Sequence, residues 1–381
     1  MLARVWSRAR SRLRDTVSGD DRLFYWLESP RLEQISRAGA QRFSGWVLWY
    51  GDRLVTDLAI EIDGTAAAIV PVDGTRGEIA RNAFSAVGAA RCGFAAEVAV
   101  DAHADRLSFT ARFADGAGER LLEIDVAELR RRRDELDRMA ERVDAIPLPD
   151  PELVYLTQGL HDPEFYRCTI IPAALNTVGY LESSGFDLRH PLRVLDFGCG
   201  SGRLLVGWHA IGTGHALSGC DINAELVEWA RASLPAAIDL QVSQPLPPLP
   251  FPDAVFDVVF AVSVFTHLSL ESQRRWVEEL RRILRPGGAL VITLHGESYV
   301  PHIFPGRPET LDELRRSGHV VTPVGDVGSN QFASLHTRGF ARRLLGGFDL
   351  AGFFPNGRIG GRRLPYPTFI LQDVYVFRRR S

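Results

Sequence analysis

The chain has 381 residues, of which 45% are hydrophobic and 24% charged, and its formal net charge is −3 at pH 7. This length suits two domains, and the composition is that of an ordinary globular protein. The near-neutral charge gives no reason to expect a nucleic acid partner. All 44 basic residues are arginine, and the lack of lysine excludes a pyridoxal Schiff base and a P-loop nucleotide site.

The cysteines show neither the spacing of a disulfide framework nor that of a metal site. Reduced, buried thiols are typical of cytosolic proteins, so we expect a cytoplasmic location. No apolar run approaches the ~18 residues that a transmembrane helix needs. The cysteines are Cys92, Cys168, Cys199 and Cys220.

Residues 1–40 are predicted to be a basic, helical N-terminal segment. Five arginines precede the first acidic residue, Asp15, and apolar residues recur at helical spacing. Two interpretations stay open. The basic face either makes a peripheral contact with an anionic membrane, or it is the solvated face of a frayed helix.

Residues 41–125 contain short alternating runs of polar and apolar residues, broken by Asp-Gly turns. This spacing predicts a small all-β sandwich domain. The clearest predicted strands are 44–49, 57–62, 98–100 and 107–113.

Three runs in this region, at 45–46, 76–84 and 93–94, resemble a β-module attached to bacterial surface-glycan enzymes. The resemblance implies that the module either binds carbohydrate or positions the neighbouring domain.

Residues 126–150 are predicted to form a charged linker helix. Opposite charges lie four residues apart, and a narrow apolar stripe indicates packing against the same protein rather than a coiled coil. Pro147, Pro149 and Pro151 end the helix and mark a domain boundary.

Residues 151–381 alternate apolar strands with helical patterns, which predicts an α/β fold with a doubly wound, seven-stranded, Rossmann-like sheet. The predicted strands are 193–196, 216–221, 239–242, 256–261, 289–294, 348–354 and 372–377.

The first of these strands leads into the sequence Asp-Phe-Gly-Cys-Gly-Ser-Gly at 196–202. Alternate glycines permit unusual backbone angles and keep side chains away from a ligand at the sheet edge. A nicotinamide-dependent oxidoreductase needs Gly-x-Gly-x-x-Gly, and Arg203 stands where its last glycine should be. Asp221 ends the second strand, where its carboxylate can accept bonds from both ribose hydroxyls or, alternatively, cap the next helix.

With this loop, with Asp221 and with the Pro-Gly-Gly turn at 286–288, the C-terminal half resembles the class I S-adenosylmethionine-dependent methyltransferases. The resemblance implies S-adenosylmethionine as cofactor, with Asp196 at its methionine end, Ile222 and Gln244 at its adenine, and Ser263 near the transferring methyl group. The residues assigned to the cofactor are Asp196, Gly198, Gly200, Gly202, Asp221, Ile222, Gln244 and Ser263.

His267 lies in the segment that borders the methyl group in the resembling enzymes, and it is the first candidate for a general base. Histidine suits removal of a hydroxyl proton near neutral pH. The alternative is a structural histidine at a helix start, and His295 and His336 are further candidate bases. No acidic cluster follows the fourth strand, so we expect no catalytic metal.

The acceptor is expected to be a hydroxyl of a sugar in a bacterial surface glycan. Two other interpretations remain, a small secondary metabolite as acceptor and a non-catalytic glycan-binding protein. The intact acidic and glycine residues of the loop argue against the last.

Overall fold

The structure is a computed structural model that describes residues 23–49, 53–77, 88–212, 214–300, 309–321, 332–359 and 372–381. Within these ranges, two antiparallel sheets lie near the N-terminus and one seven-stranded sheet lies in the C-terminal half. The described residues contain no helix long and apolar enough to cross a membrane.

Seven described strands form the N-terminal region, here called the β-module (residues 23–125). One sheet has the order β1-β2-β5 and the other β4-β3-β6-β7, where the strands are β1 (Leu23–Ser29), β2 (Gly39–Trp49), β3 (Val55–Ile62), β4 (Thr65–Pro71), β5 (Gly93–Val100), β6 (Arg106–Phe113) and β7 (Gly118–Asp125). The sheets pack face to face, because the rings of Phe43 and Phe109 lie 5.6 Å apart and those of Trp49 and Phe113 lie 5.2 Å apart.

The helical prediction for residues 1–40 is wrong where it can be tested. Leu23–Ser29 is strand β1, paired antiparallel with β2, and only α1 (Leu32–Ile35) is helical there. The first five residues of β1 are all buried, and a run of aromatic and branched side chains suits a strand covered on both faces. The basic segment before residue 23 lies outside the described residues, as do residues 78–84 of the module resemblance.

The predicted linker helix is two helices, α2 (Val126–Arg131) and α3 (Arg133–Asp144). They separate at Arg132, whose φ of −102° and ψ of 10° leave the helical region. The apolar stripe of α3 is buried, and Arg142 Nη1 donates to the carbonyl oxygen of Ala210 at 2.7 Å. The helix therefore packs against the C-terminal half of its own chain.

The predicted seven-stranded sheet is present, with the order β10-β9-β8-β11-β12-β16-β15. Its first five strands are parallel, and β16 is antiparallel to both neighbours. The strands are β8 (Arg193–Phe197), β9 (Ala216–Asp221), β10 (Asp239–Val242), β11 (Phe256–Ala261), β12 (Leu284–Leu294), β15 (Phe348–Phe354) and β16 (Asp373–Arg379), and a separate pair is β13 (His319–Val321) with β14 (Ser334–His336).

Helices cover both faces of this sheet. Along β8, Val194 belongs to the apolar core that contains α5 and α6, whereas Leu195 belongs to the core that contains α8 and α10. This alternation is expected of a strand buried on both sides. The helices are α4 (Pro151–Gln158), α5 (Pro163–Ser183), α6 (Arg203–Ile211), α7 (Ala224–Ser233), α8 (Leu270–Ile283), α9 (Glu309–Ser317) and α10 (Arg338–Leu344).

The Pro-Gly-Gly turn before the fifth strand is an irregularity inside β12. Pairing with β11 passes from Phe256–Leu284 to Val258–Ala289, so the residues between Leu284 and Ala289 have no partner in β11. Gly287 has φ +79°, which favours glycine at the turn.

Candidate active site

The glycine loop joins β8 to α6 at the carboxyl edge of the sheet. Gly198, Gly200 and Gly202 have φ values of 78°, 55° and 84°, all in the left-handed region. A Cβ on Gly198 would overlap Val264 Cγ2, and one on Gly202 would overlap Leu234 Cδ1. The positive φ values favour glycine at all three positions, as the sequence predicts, and the space beside Gly198 and Gly202 is taken by side chains of the protein itself.

Asp221 and the end of β9 hold this loop in place. The backbone N–H of Gly198 donates to the Cys220 carbonyl oxygen at 2.8 Å, and the N–H of Gly200 donates to Asp221 Oδ2 at 2.8 Å. Asp221 Oδ1 accepts from the N–H of Asn223 at 2.9 Å. Each carboxylate oxygen can accept a second bond, so both remain suited to ribose hydroxyls.

The alternative role of Asp221, that of helix cap, is wrong. The N-cap of α7 is Asn223, whose side chain accepts from the N–H of Leu226 at 3.3 Å.

Asp196 lies at the end of β8 and is only 3% exposed. Burial raises the pKa of Asp196 to about 7; the charge of Arg203 opposes this rise, and the charge of Asp221 adds to it. A buried carboxylate is stabilised by an added positive charge. Asp196 therefore suits a cationic ligand and would repel a phosphate.

Side chains of helices α4 and α5 make hydrogen bonds to the glycine loop. Ser201 Oγ lies 3.0 Å from Thr157 Oγ1 and 2.9 Å from the Tyr166 hydroxyl. Burial raises the pKa of Tyr166 to about 12, so its phenol stays protonated. The sequence analysis assigns no role to Thr157 or Tyr166, because no local pattern signals contacts with Ser201, which lies 44 residues from Thr157.

The residues assigned to adenine lie at the same edge. Ile222 directly follows Asp221, and its side chain is 57% exposed, which leaves an apolar surface for a flat base. Gln244 is exposed and follows Ser243, whose N–H donates to the Asp221 carbonyl oxygen at 2.8 Å. Both residues are thus next to Asp221, Ile222 along the chain and Gln244 through the backbone bond of its neighbour Ser243.

Ser263 follows β11 with φ 56°, an unusual angle for a residue with a side chain. Its N–H donates to Thr293 Oγ1 at 2.8 Å, and its hydroxyl lies 2.7 Å from Gln372 Nε2. Strained backbone of this kind concentrates at functional sites. The sequence gives no indication of Gln372, which is 109 residues away.

His267 lies in a short 3-10 turn, Phe265–His267, beyond β11. Its Nδ1 is 3.0 Å from the carbonyl oxygen of Phe332. A carbonyl oxygen only accepts, so Nδ1 carries the hydrogen, and in the neutral ring the lone pair then lies on Nε2. This is the tautomer that a base acting through Nε2 requires.

The two other candidate bases, His295 and His336, have different surroundings in the structure. The His295 ring lies edge-on to His267, with centroids 6.5 Å apart, and stacks on Tyr299 at 3.6 Å. His336 is fully buried, and burial lowers its pKa to about 3. His336 therefore lacks the access and the basicity of a general base, and that alternative is wrong.

These residues fit S-adenosylmethionine, whose ammonium and sulfonium groups are cationic and which carries no phosphate. The fit rests on the glycine loop with its left-handed backbone at the sheet edge, on buried Asp196 and on exposed Ile222. The sheet and this loop define a class I S-adenosylmethionine-dependent methyltransferase domain, and S-adenosylmethionine is its cofactor.

Comparison with known proteins agrees with this class. Residues 195–292 match the family model described as a methyltransferase domain. The chain is 29% identical over 172 residues to malonyl-[acyl-carrier protein] O-methyltransferase of Erwinia pyrifoliae, covering 43% of this chain and 57% of that protein. It is 32% identical over 159 residues to O-methyltransferase resE of Aspergillus sclerotiorum, covering 36% of this chain and 58% of that protein.

The chain thus spans less than two thirds of the length of these curated relatives. Among solved structures, an S-adenosylmethionine-dependent methyltransferase from Methanosarcina mazei aligns with 22% identity and a TM-score of 0.39, over 51% of this chain and 94% of that one.

Proposed function

We propose that the chain is an S-adenosylmethionine-dependent O-methyltransferase that acts on a hydroxyl, and that His267 is its general base. The observation that carries the proposal is the contact of 3.0 Å between His267 Nδ1 and the Phe332 carbonyl oxygen, which requires the hydrogen on Nδ1. The same turn adjoins the cofactor loop, because Val264 fills the space beside Gly198. A base is thus held next to the loop that binds the methyl donor.

The reaction needs little from the protein beyond placement and one proton transfer. When bound, the cofactor supplies an electrophilic methyl group on its sulfonium. The glycine loop, Asp221 and Asp196 would hold the cofactor, and α4 and α5 hold the loop through Thr157 and Tyr166. His267 Nε2 accepts the proton that the acceptor hydroxyl loses. Correct placement of the acceptor hydroxyl supplies much of the rate.

For the acceptor we propose a sugar hydroxyl of a bacterial surface glycan. Support comes from the resemblance of the β-module to those of surface-glycan enzymes and from the place where the module docks. Its aromatic side chains form a buried cluster that includes Phe165 and Tyr299 of the C-terminal half. Tyr299 in turn stacks on His295, beside His267. The module side of this cluster comprises Phe24, Trp26, Trp46, Leu48, Ala89 and Cys92.

This docking supports a positioning role for the module. The aromatic face that could stack on an exposed sugar is covered, since the Trp26 and Phe165 ring centroids lie 4.6 Å apart. We also propose a cytoplasmic location, because all four cysteines are free thiols, as in reducing compartments.

A small secondary metabolite is the second candidate acceptor, because the glycine loop, Asp196 and Asp221 bear on the methyl donor and not on the acceptor. Labelled transfer separates the candidates. The purified chain is incubated with methyl-labelled S-adenosylmethionine and, in separate reactions, with fractionated bacterial surface glycans or with a set of small phenolic and alcohol acceptors.

Label in a glycan fraction is the expected result, with alkali-stable retention as the mark of an ether. Label only in small acceptors supports the second candidate and overturns the glycan acceptor. Cofactor binding without label in any fraction overturns the enzymatic proposal and favours a non-catalytic protein.

A further inference from the structure

We propose that Gln273 is a positioning residue that fixes the orientation and tautomer of His267. The catalytic consequence rests on the proposed function, but the positioning itself does not. Gln273 lies in the first half of α8 and is fully buried. A buried amide is costly unless its hydrogen bonds are made, so its partners indicate why it is there.

The amide nitrogen of Gln273 holds the turn that carries His267. Nε2 donates to the carbonyl oxygens of Phe265 at 2.9 Å and of Leu268 at 3.0 Å. These two carbonyls flank Thr266 and His267 in the chain. The backbone on both sides of the histidine is therefore bonded to one side chain.

The same amide also holds the segment that supplies the acceptor for the His267 ring. Oε1 accepts from His336 Nε2 at 2.9 Å, and Nε2 lies 3.0 Å from Ser334 Oγ, so its two hydrogens are shared among Ser334, Phe265 and Leu268. Ser334 and His336 belong to β14, which begins two residues after Phe332. One buried side chain thus sets the distance between the His267 ring and the Phe332 carbonyl oxygen.

Glutamine suits this position for a chemical reason. Its amide donates to carbonyl oxygens through Nε2 and accepts from His336 through Oε1. A glutamate of the same shape would set carboxylate oxygen against two carbonyl oxygens. A methionine would fill the space but make none of the bonds.

The test is the ¹⁵N NMR spectrum of the histidine rings, recorded on the full chain without substrate. In the wild-type protein the His267 signals, assigned by their loss in His267→Ala, should show a protonated Nδ1 and an unprotonated Nε2. In Gln273→Met they should shift toward a mixture of both tautomers. The kcat for the accepted substrate should fall about tenfold or more because the base is misplaced, while the Kd for S-adenosylhomocysteine stays within about twofold of wild type.

Thr177→Val is the matched control, because Thr177 is equally buried and its hydroxyl loses two bonds, one from Trp208 Nε1 at 2.9 Å and one to the Ala174 carbonyl oxygen at 2.8 Å. It should leave the His267 tautomer unchanged. If Gln273→Met fails to fold, His336→Leu removes only the partner of Oε1 and should also mix the tautomers.

A folded Gln273→Met variant whose His267 keeps the wild-type tautomer overturns the inference. If His336→Leu is used instead, a single His267 tautomer in that variant overturns it as well. Mixed His267 tautomers in Gln273→Met, together with full turnover in His267→Ala, would support the positioning role and refute His267 as base. The two proposals can therefore fail separately.

Discussion

Replacement of Asp221 by alanine should weaken the binding of S-adenosylhomocysteine by about ten- to a hundredfold. The carboxylate accepts from the N–H groups of Gly200 at 2.8 Å and Asn223 at 2.9 Å, and its remaining lone pairs are assigned to the ribose hydroxyls. A hydrogen bond to a charged group contributes about 1.5–3 kcal/mol, and a tenfold change in Kd is about 1.4 kcal/mol. Loss of one ribose bond already gives the stated range.

Titration calorimetry of the purified variant measures this change, and urea unfolding reports any loss of loop anchoring. The matched control is Asp257→Ala, at the amino end of β11 and far from the loop. Asp257 Oδ2 also accepts a backbone N–H, that of Arg193 at 2.8 Å, and Oδ1 accepts from Arg285 Nη1 at 2.7 Å. The control should lose stability but keep wild-type affinity. Wild-type affinity in a folded Asp221→Ala would place the ribose elsewhere and refute the site.

Three further substitutions test other parts of the site. Burial raises the pKa of Asp196 to about 7. Between about pH 4 and 7 the folded state therefore holds a proton that the unfolded state has released. The stability of the cofactor-free protein falls as the pH rises through that window. Asp196→Asn should therefore gain stability over wild type more at pH 8 than at pH 5 in urea unfolding; an equal difference at both values would contradict the assignment. His267→Ala should lower kcat by about 10²- to 10⁴-fold with unchanged cofactor affinity, and full turnover would exclude it as the base. Gly198→Ala should lower the midpoint of thermal unfolding more than Gly116→Ala does. Both glycines have positive φ, but only a Cβ on Gly198 would also overlap Val264. Equal decreases in the two variants would mean that the loop can move aside.

Most of the catalytic sheet could be predicted because its strands are short apolar runs between clear turns. β9, β10, β11 and β15 begin and end where the sequence places them. β1 was missed because its aromatic run follows a basic stretch with helical spacing. The run itself, Leu-Phe-Tyr-Trp-Leu before Ser29-Pro30, is the signal that indicates a strand.

The placement of the residues assigned to the cofactor at one sheet edge could be predicted, because they follow the neighbouring parallel strands β8, β9, β10 and β11. The acceptor side could not, because it depends on contacts between distant segments. His267 meets Phe332 across 65 residues, and Gln273 meets His336 across 63. No local spacing in the sequence encodes such pairs. The sequence alone therefore does not decide whether a histidine is catalytic or structural, because that decision depends on these contacts.

The position of β16 affects how the protein is made. This strand lies between β12 and β15 and pairs with both along its length. While a ribosome is still translating the region before residue 373, β12 and β15 are already synthesised but each lacks this neighbour. Open strand edges of this kind invite pairing with other nascent chains. We expect loss of this one strand to divide the sheet internally instead of trimming its rim, so that a variant without residues 373–379 would be insoluble.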